Sequence, residues 1–291
     1  MPTERTDGTR SHAGADGARG AYGIRLIGVA RADEVLVNGD SRWPTLRLVS
    51  SIQESGPLPE RVTNHRADLN FRTGGRLSID RKDAVAHFIV PRRLTDEELV
   101  HPYLAPAAAV MAHWFRRQCF HAGAFLSDNG VWALAGDRLT GKSSLLAWLA
   151  LHGHEVVADD VLVIDDMYAF AGPRSIDLRS DTAARFGVGR GLGMVGARPR
   201  WRVTLPDIGG QLPFRGWIFL AWGHALEAER LSGSERLVRL LRQRTLRLPP
   251  PDPATHLALA ALPAWELRRP REWRFVDEVG DRLLQLTSCR A

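Results

Sequence analysis

Lysine is nearly absent from this chain. Lys82 and Lys142 are the only two, so the net charge of +6 rests on arginine. Cysteine is equally scarce. Cys119 and Cys289 stand alone, which excludes a disulfide framework and offers no zinc-site spacing. No run of about 18 apolar residues occurs, so no membrane-spanning helix is expected. The first residues lack the apolar core of a secretory signal, and the expectation is a cytoplasmic protein. Internal repeats and heptad arrays are missing too. The arginine excess has no aromatic–basic recognition motif behind it, so nucleic acid is not an expected partner. Arginine in excess fits phosphate ligands or an acidic partner, and it fits equally a composition without functional meaning.

What is present is ordinary in bulk. The chain has 291 residues, 44% apolar and 25% charged, enough for one large or two modest domains with a real core. Residues 1–20 are rich in Gly, Ala, Thr, Asp and Arg without apolar periodicity, and read as a disordered tail. Residues 21–110 read as a β-rich N-terminal lobe. Short apolar runs such as Val35-Leu36-Val37 precede an Asn38-Gly39 turn signal, and Ala84 to Val90 form a further strand. From Leu94 to Arg117 a helix is expected, with Thr95 as N-cap and Pro102 and Pro106 splitting it. Residues 111–291 read as the catalytic domain.

One stretch in that domain carries chemistry. Gly136-Asp137-Arg138-Leu139-Thr140-Gly141-Lys142-Ser143 fits the phosphate-loop pattern G-x-x-x-x-G-K-[ST], and Ser144 follows it. The apolar run Val131 to Ala135 before it suits a buried strand. Leu145, Leu146, Trp148 and Leu149 after it recur at helical spacing, with Gly153 as a stop. A loop bounded by two glycines aims successive backbone N–H groups at phosphate oxygens, where the helix adds its positive end. Lys142 would neutralise the β- and γ-phosphates of ATP, and Ser143 would hold a Mg²⁺ ion. Downstream, Val156 to Ala158 lead into Asp159-Asp160 and then Val161 to Ile164. Two adjacent carboxylates in an apolar strand are costly unless a metal or proton-transfer duty holds them.

With His121-Ala122-Gly123, the phosphate loop and Gly153-His154-Glu155-Val156-Val157-Ala158-Asp159-Asp160, the chain resembles the HPr kinase/phosphorylases and HPr-kinase-like proteins over residues 119–166. The resemblance implies an α/β fold with a phosphate-loop kinase core of the HPr kinase/phosphoenolpyruvate carboxykinase type. It implies a histidine that orients the phosphates (His121), a phosphate lysine (Lys142), a metal serine (Ser143) and a proton acceptor (Asp160), with Asp159 beside the metal. A homo-oligomer is implied as well. Two departures stand out. The loop centre is Arg138-Leu139-Thr140 instead of serine and glycines, and Val188 stands where the family has a metal-binding glutamate before Arg190-Gly191-Leu192-Gly193. Either another acid such as Asp177 completes the metal site, or the echo is accidental. Phosphorylase activity and the sugar-transport substrate stay open.

Three further features complete the reading. Arg174 and Arg179, around a Gly172-Pro173 turn, are candidates to clamp the transferring phosphoryl group. Gly191-x-Gly193-x-x-Gly196 matches a dinucleotide fingerprint but no helix follows it, so it is set aside. Arg198, Arg200 and Arg202 either meet an anion or protect a sheet edge. The expected activity is ATP-dependent transfer to a hydroxyl of a peptide or small protein, serine first, such as a peptide natural product. Its rivals are a small-molecule alcohol kinase and a catalytically silent nucleotide-binding regulator.

Overall fold

The computed structural model describes residues 18–54 and 56–288. Most of the expected tail lies outside them, and the fold is already under way at Arg19. Eight strands form the N-terminal sheet: β1 (Arg19–Ala21), β2 (Ile24–Ile27), β3 (Val37–Asn38), β4 (Thr45–Ile52), β5 (Arg61–Val62), β6 (Arg66–Asn70), β7 (Arg76–Asp80) and β8 (Val85–Val90), in the order β3-β1-β2-β4-β8-β7-β6-β5. Alternation sets its faces. Leu46, Leu48, Leu77, Ile79, Ala86 and Phe88 are buried, while residues between them face outward. The Asn38-Gly39 signal does not make a hairpin. Residues Ala30–Val35 form a 3₁₀ turn, β3 pairs with β1, and β4 runs parallel to β2 and β8.

The expected helix is split at Pro102 but not at Pro106, which lies in the first turn of the second helix, where proline is tolerated. Thr95 caps the single turn α1 (Asp96–Glu98) in a reciprocal capping box with Glu98, and α2 (Leu104–Trp114) follows. The break falls at His101, which is extended (φ −151°, ψ 120°) immediately before Pro102.

The second sheet positions the loop. It begins with β9 (Gln118–Phe120), β10 (Ala122–Ser127) and β11 (Gly130–Ala135), and α3 (Lys142–Leu151) follows the loop. Next come β12 (Val156–Ala158), β13 (Leu162–Asp165) and β14 (Tyr168–Phe170). Strand β9 does not lie beside the phosphate-loop strand. β9 pairs with β13, and β10 is the neighbour of β11. His121 is the joint between them. Nor is the acidic pair inside one strand. The chain breaks at Asp159-Asp160, with Asp160 in the left-handed region at φ 71°, where aspartate is one of the few tolerated side chains.

A small three-stranded sheet comes next: β15 (Ser175–Leu178), then α4 (Ser180–Phe186), β16 (Arg190–Val195) and β17 (Arg198–Thr204), in the order β15-β17-β16. Next is the long strand β18 (Gln211–Trp222). It is followed by β19 (Glu227–Arg230), α5 (Gly233–Gln243, capped by Ser232), α6 (Pro253–Ala261), β20 (Ala264–Arg269) and α7 (Val276–Ser288). Strand β20 ends at Arg269, and a 3₁₀ turn occupies Trp273–Phe275.

β18 runs parallel to β11 and to β20, while β11 and β12 are both antiparallel to β10. Therefore β11, β12, β18 and β20 all point one way, and β10 starts where they end. One sheet edge thus receives the phosphate loop, Asp159-Asp160, His121, Trp222 and Arg269.

Two apolar clusters hold this edge in place. One joins the N-terminal sheet to the second sheet through contacts such as Trp43 against Phe170, ring centroids 5.6 Å apart. The other packs α3, α7 and β15. Gly280 lets α7 close on α3, because a Cβ there would come within 2.3 Å of the Trp148 ring. Among the described residues no helix is long and apolar enough to cross a membrane.

Candidate active site

The loop is closed on itself. The Lys142 ammonium donates to the carbonyls of Gly136 (2.8 Å) and Asp137 (3.1 Å), and the Thr140 hydroxyl donates to the Asp137 carbonyl at 2.8 Å. Burial lowers the Lys142 pKa, and the charges of Asp160, Asp159 and Asp137 work against that. Gly141, at φ 78°, turns the chain into α3. A Cβ on it would meet Nη2 of Arg269 at 2.4 Å. Leu139 adopts φ 68° and is 58% exposed at the loop tip. Arg138 lies beside a cavity of about 690 Å³ that runs from the loop to Trp222 and α5.

The first turn of α3 meets the acidic pair. Ser143 Oγ donates to Asp159 Oδ1 at 2.9 Å. Asp159 is buried. Burial, with the neighbouring Asp160, pushes its carboxyl up, opposed by His101 and by the Ser143 hydrogen bond. Asp160 is more open, 47% exposed, with His121 Nδ1 2.9 Å from its carbonyl and 3.2 Å from its carboxylate. Two oxygen acceptors at Nδ1 fix a proton there. Burial would raise the Asp160 carboxyl, but the His121 hydrogen bond and charge, with His101 and Lys142 behind them, hold it far below the usual range. The His121 N–H donates to the Gln243 carbonyl at 2.6 Å, tying this joint to the end of α5.

Lys142, Ser143, Asp159, Asp160 and His121 are therefore brought together, with Gly136 to Thr140 as the loop wall. Ser144 faces the other way, its hydroxyl 3.3 Å from Thr182 of α4. The two clamp arginines part company. Arg174 is committed to the N-terminal lobe, donating from Nε to the Leu36 carbonyl (3.1 Å) and from Nη2 to the Glu34 carbonyl (2.5 Å). Its guanidinium is a staple between lobes and not a free cation. Arg179 is exposed at the N-cap of α4. Asp177 is equally committed: Arg202 grips it with Nε at 2.8 Å and Nη2 at 3.1 Å, and His101 Nε2 lies 3.6 Å away. That engagement removes it as the replacement metal acid. Val188 is half-buried against the α3–α7 cluster.

Two contributors escaped sequence reasoning. His101 comes from the N-terminal half of the chain, and no local pattern marks it. Arg269 is buried at the end of β20, donates from Nη2 to the Thr140 carbonyl at 2.7 Å and stacks 4.3 Å from the Trp222 ring centroid. Burial pushes its pKa down to about 10. The only trace of it in the sequence is the second of two arginines that close the strand Ala264–Arg269.

Among the described residues no group of three His, Cys, Asp or Glu side chains is arranged to hold a metal ion. A magnesium ion in a phosphate-transfer site needs only one or two protein oxygens, because substrate phosphates and water complete its shell. The Ser143 hydroxyl with the Asp159 carboxylate fits that requirement.

The chain matches no protein-family model and no curated protein sequence. Among solved structures it is similar to the Hpr(Ser) kinase/phosphatase from Coxiella burnetii, at 16% identity over 58% of this chain and 97% of that one, with a TM-score of 0.30.

Proposed function

We propose that the chain is an ATP-dependent phosphotransferase that moves the γ-phosphoryl group to a hydroxyl. One observation carries this reading: the loop lysine, the helix-start serine and two differently placed aspartates converge on a single sheet edge. Lys142 and the loop N–H groups receive the phosphates, and the nucleoside lies in the cavity toward Trp222 and α5. Bound at Ser143 with Asp159 behind it, magnesium would screen the phosphate charge.

The acceptor oxygen attacks γ-phosphorus while the bond to the β–γ bridging oxygen breaks and ADP leaves. The hydroxyl proton passes to the Asp160 carboxylate. A carboxylate held so low is a weak base, which suits a loose transition state in which the hydroxyl gives up its proton late. His121 fixes the Asp160 side chain and keeps it ionised. Asp159, buried and raised, serves the serine instead of the acceptor.

The acceptor we favour is a serine of a peptide or small protein, which includes tailoring of a peptide natural product. The site is open enough at Asp160 to admit a side chain presented from outside. A free alcohol is the competing acceptor.

The test is ATP consumption with Mg²⁺ by wild type, Lys142→Ala and Asp160→Asn, against serine peptides and small alcohols. Phosphate on one acceptor, absent with both variants, supports the reading and names the acceptor class. Turnover that survives Asp160→Asn unchanged removes Asp160 as the proton acceptor. Nucleotide binding without transfer to any acceptor favours a regulator over an enzyme.

A further inference from the structure

The small sheet carries arginines that this chemistry leaves unused. Along β17, Arg198, Arg200 and Arg202 alternate with Pro199 and Trp201 and so share one face. Asp177 of β15 pairs with Arg202 on that face. Arg179, two residues further along, follows it one step past the Leu178–Trp201 pair.

The charges on this face do not balance. Asp177 is taken by the buried Arg202, with Arg200 at 3.5 Å, and Arg200 Nε also donates to the Val195 carbonyl at 3.2 Å. Arg198 is half-buried and Arg179 exposed. Among the described residues neither guanidinium has a hydrogen-bond or ion-pair partner. Edge protection does not account for them, because β17 is the central strand, paired on both sides.

At its inner end this face meets the N-terminal lobe, where Arg202 donates to the carbonyls of Glu97 and His101, and its opposite face packs on the α3–α7 cluster. Burial, Arg200 and Arg179 all weaken the hold of Arg198 on its proton, while Asp160 and Asp159 lie close enough to strengthen it. Helix α4, which begins just after Arg179, touches the first turn of α3 through Thr182 and Ser144. Like charges kept together in a partly desolvated place repel, and an oxyanion relieves that repulsion while accepting fork-shaped hydrogen bonds.

We propose that Arg198 and Arg179 form an oxyanion-binding subsite beside the phosphate loop, taking a phosphate or carboxylate group of a substrate. It rests on the phosphotransferase reading only for the source of the anion. That source is the terminal phosphoryl group of the nucleotide or an acidic group next to the acceptor hydroxyl.

The experiment uses the full chain, wild type against Arg198→Gln and the Arg179→Gln/Arg198→Gln pair. Calorimetry reads the affinities for inorganic phosphate, ADP and a non-hydrolysable ATP analogue. Transfer is then compared for a serine peptide flanked by aspartates and its asparagine counterpart. The double variant is expected to bind phosphate at least about tenfold more weakly, the loss of a charge-assisted hydrogen bond. If the nucleotide supplies the anion, affinity for the analogue falls with it while ADP is unaffected. If the acceptor supplies it, nucleotide affinities hold and the preference for the aspartate peptide disappears.

Unchanged phosphate affinity, analogue-to-ADP ratio and peptide preference would overturn the subsite. So would a large fall in the thermal midpoint, because it would mean that the arginines have structural partners. A wild type that binds phosphate through these arginines but no nucleotide would sink the phosphotransferase reading and leave the subsite standing.

Discussion

Ser143 Oγ donates a 2.9 Å hydrogen bond to Asp159 Oδ1, joining the first turn of α3 to the end of β12. The buried aspartate stands behind the serine with its pKa raised chiefly by burial. On the proposed reading, removing the hydroxyl takes away an oxygen that would hold magnesium, and with it a donor that favours the ionised form of Asp159. Ser143→Ala should therefore abolish the magnesium-dependent part of nucleotide affinity, on the order of 10–100-fold, as for other supporting partners of a metal site. Affinity without magnesium should change little, and Ser143→Thr should keep most of the effect. Titrations with and without Mg²⁺ check this. Equal magnesium dependence in wild type and Ser143→Ala would place the metal elsewhere.

The pairing of His121 with Asp160 predicts a pH effect. The folded carboxyl sits below its unfolded value, so the pair's stabilising contribution is present above the ordinary carboxylate range. That contribution is lost as pH falls through the folded value. In wild type Asp160 stays ionised at every pH where the chain would work. His121→Gln removes the largest lowering influence and leaves burial less opposed, so the Asp160 midpoint should rise. The acid limb that this group sets in transfer rate should then move to higher pH than in wild type. Carbon-detected titration of the Asp160 carboxyl reads the midpoint directly. A midpoint that His121→Gln does not move would dissolve the coupling.

The strand, loop and helix around Lys142 were legible because each is a local signal: an apolar run, two glycines at fixed offsets, a helical period and a stop. The cap at Thr95 was legible in the same way, as a threonine with a glutamate three residues on. Pairing was less so. Cys119 to His121 and Ala122 to Ser127 are both short and apolar, and nothing in either chooses its neighbour. The break at Asp160 was hidden because flanking valines and alanines read as one strand, while the positive φ is imposed by the tertiary fold. Arg174 and Arg179 were indistinguishable as loop arginines. Only the folded chain gives one to the carbonyls of Glu34 and Leu36 and leaves the other exposed. Arg269 needed the far end of the sheet to meet the loop 129 residues earlier.

That meeting makes the last prediction a coupling. Gly141 holds φ 78°, and its missing side chain leaves the space that Arg269 Nη2 fills. Gly141→Ala adds a left-handed penalty of about 1–2 kcal/mol and forces the guanidinium away from the Thr140 carbonyl. Arg269→Ala strips the same carbonyl of its donor, at about 1–3 kcal/mol for a buried group left unsatisfied. Each single change should lower the urea midpoint and weaken nucleotide binding. In the double variant the Cβ no longer meets a guanidinium, so the combined cost should fall short of the sum by about 1 kcal/mol. Arg269→Lys should behave almost as badly as Arg269→Ala, because an ammonium cannot both stack on Trp222 and reach the carbonyl in a fixed fork. Strict additivity in the cycle would mean that Arg269 does not prop the loop, and that Gly141 is glycine for its backbone angle alone.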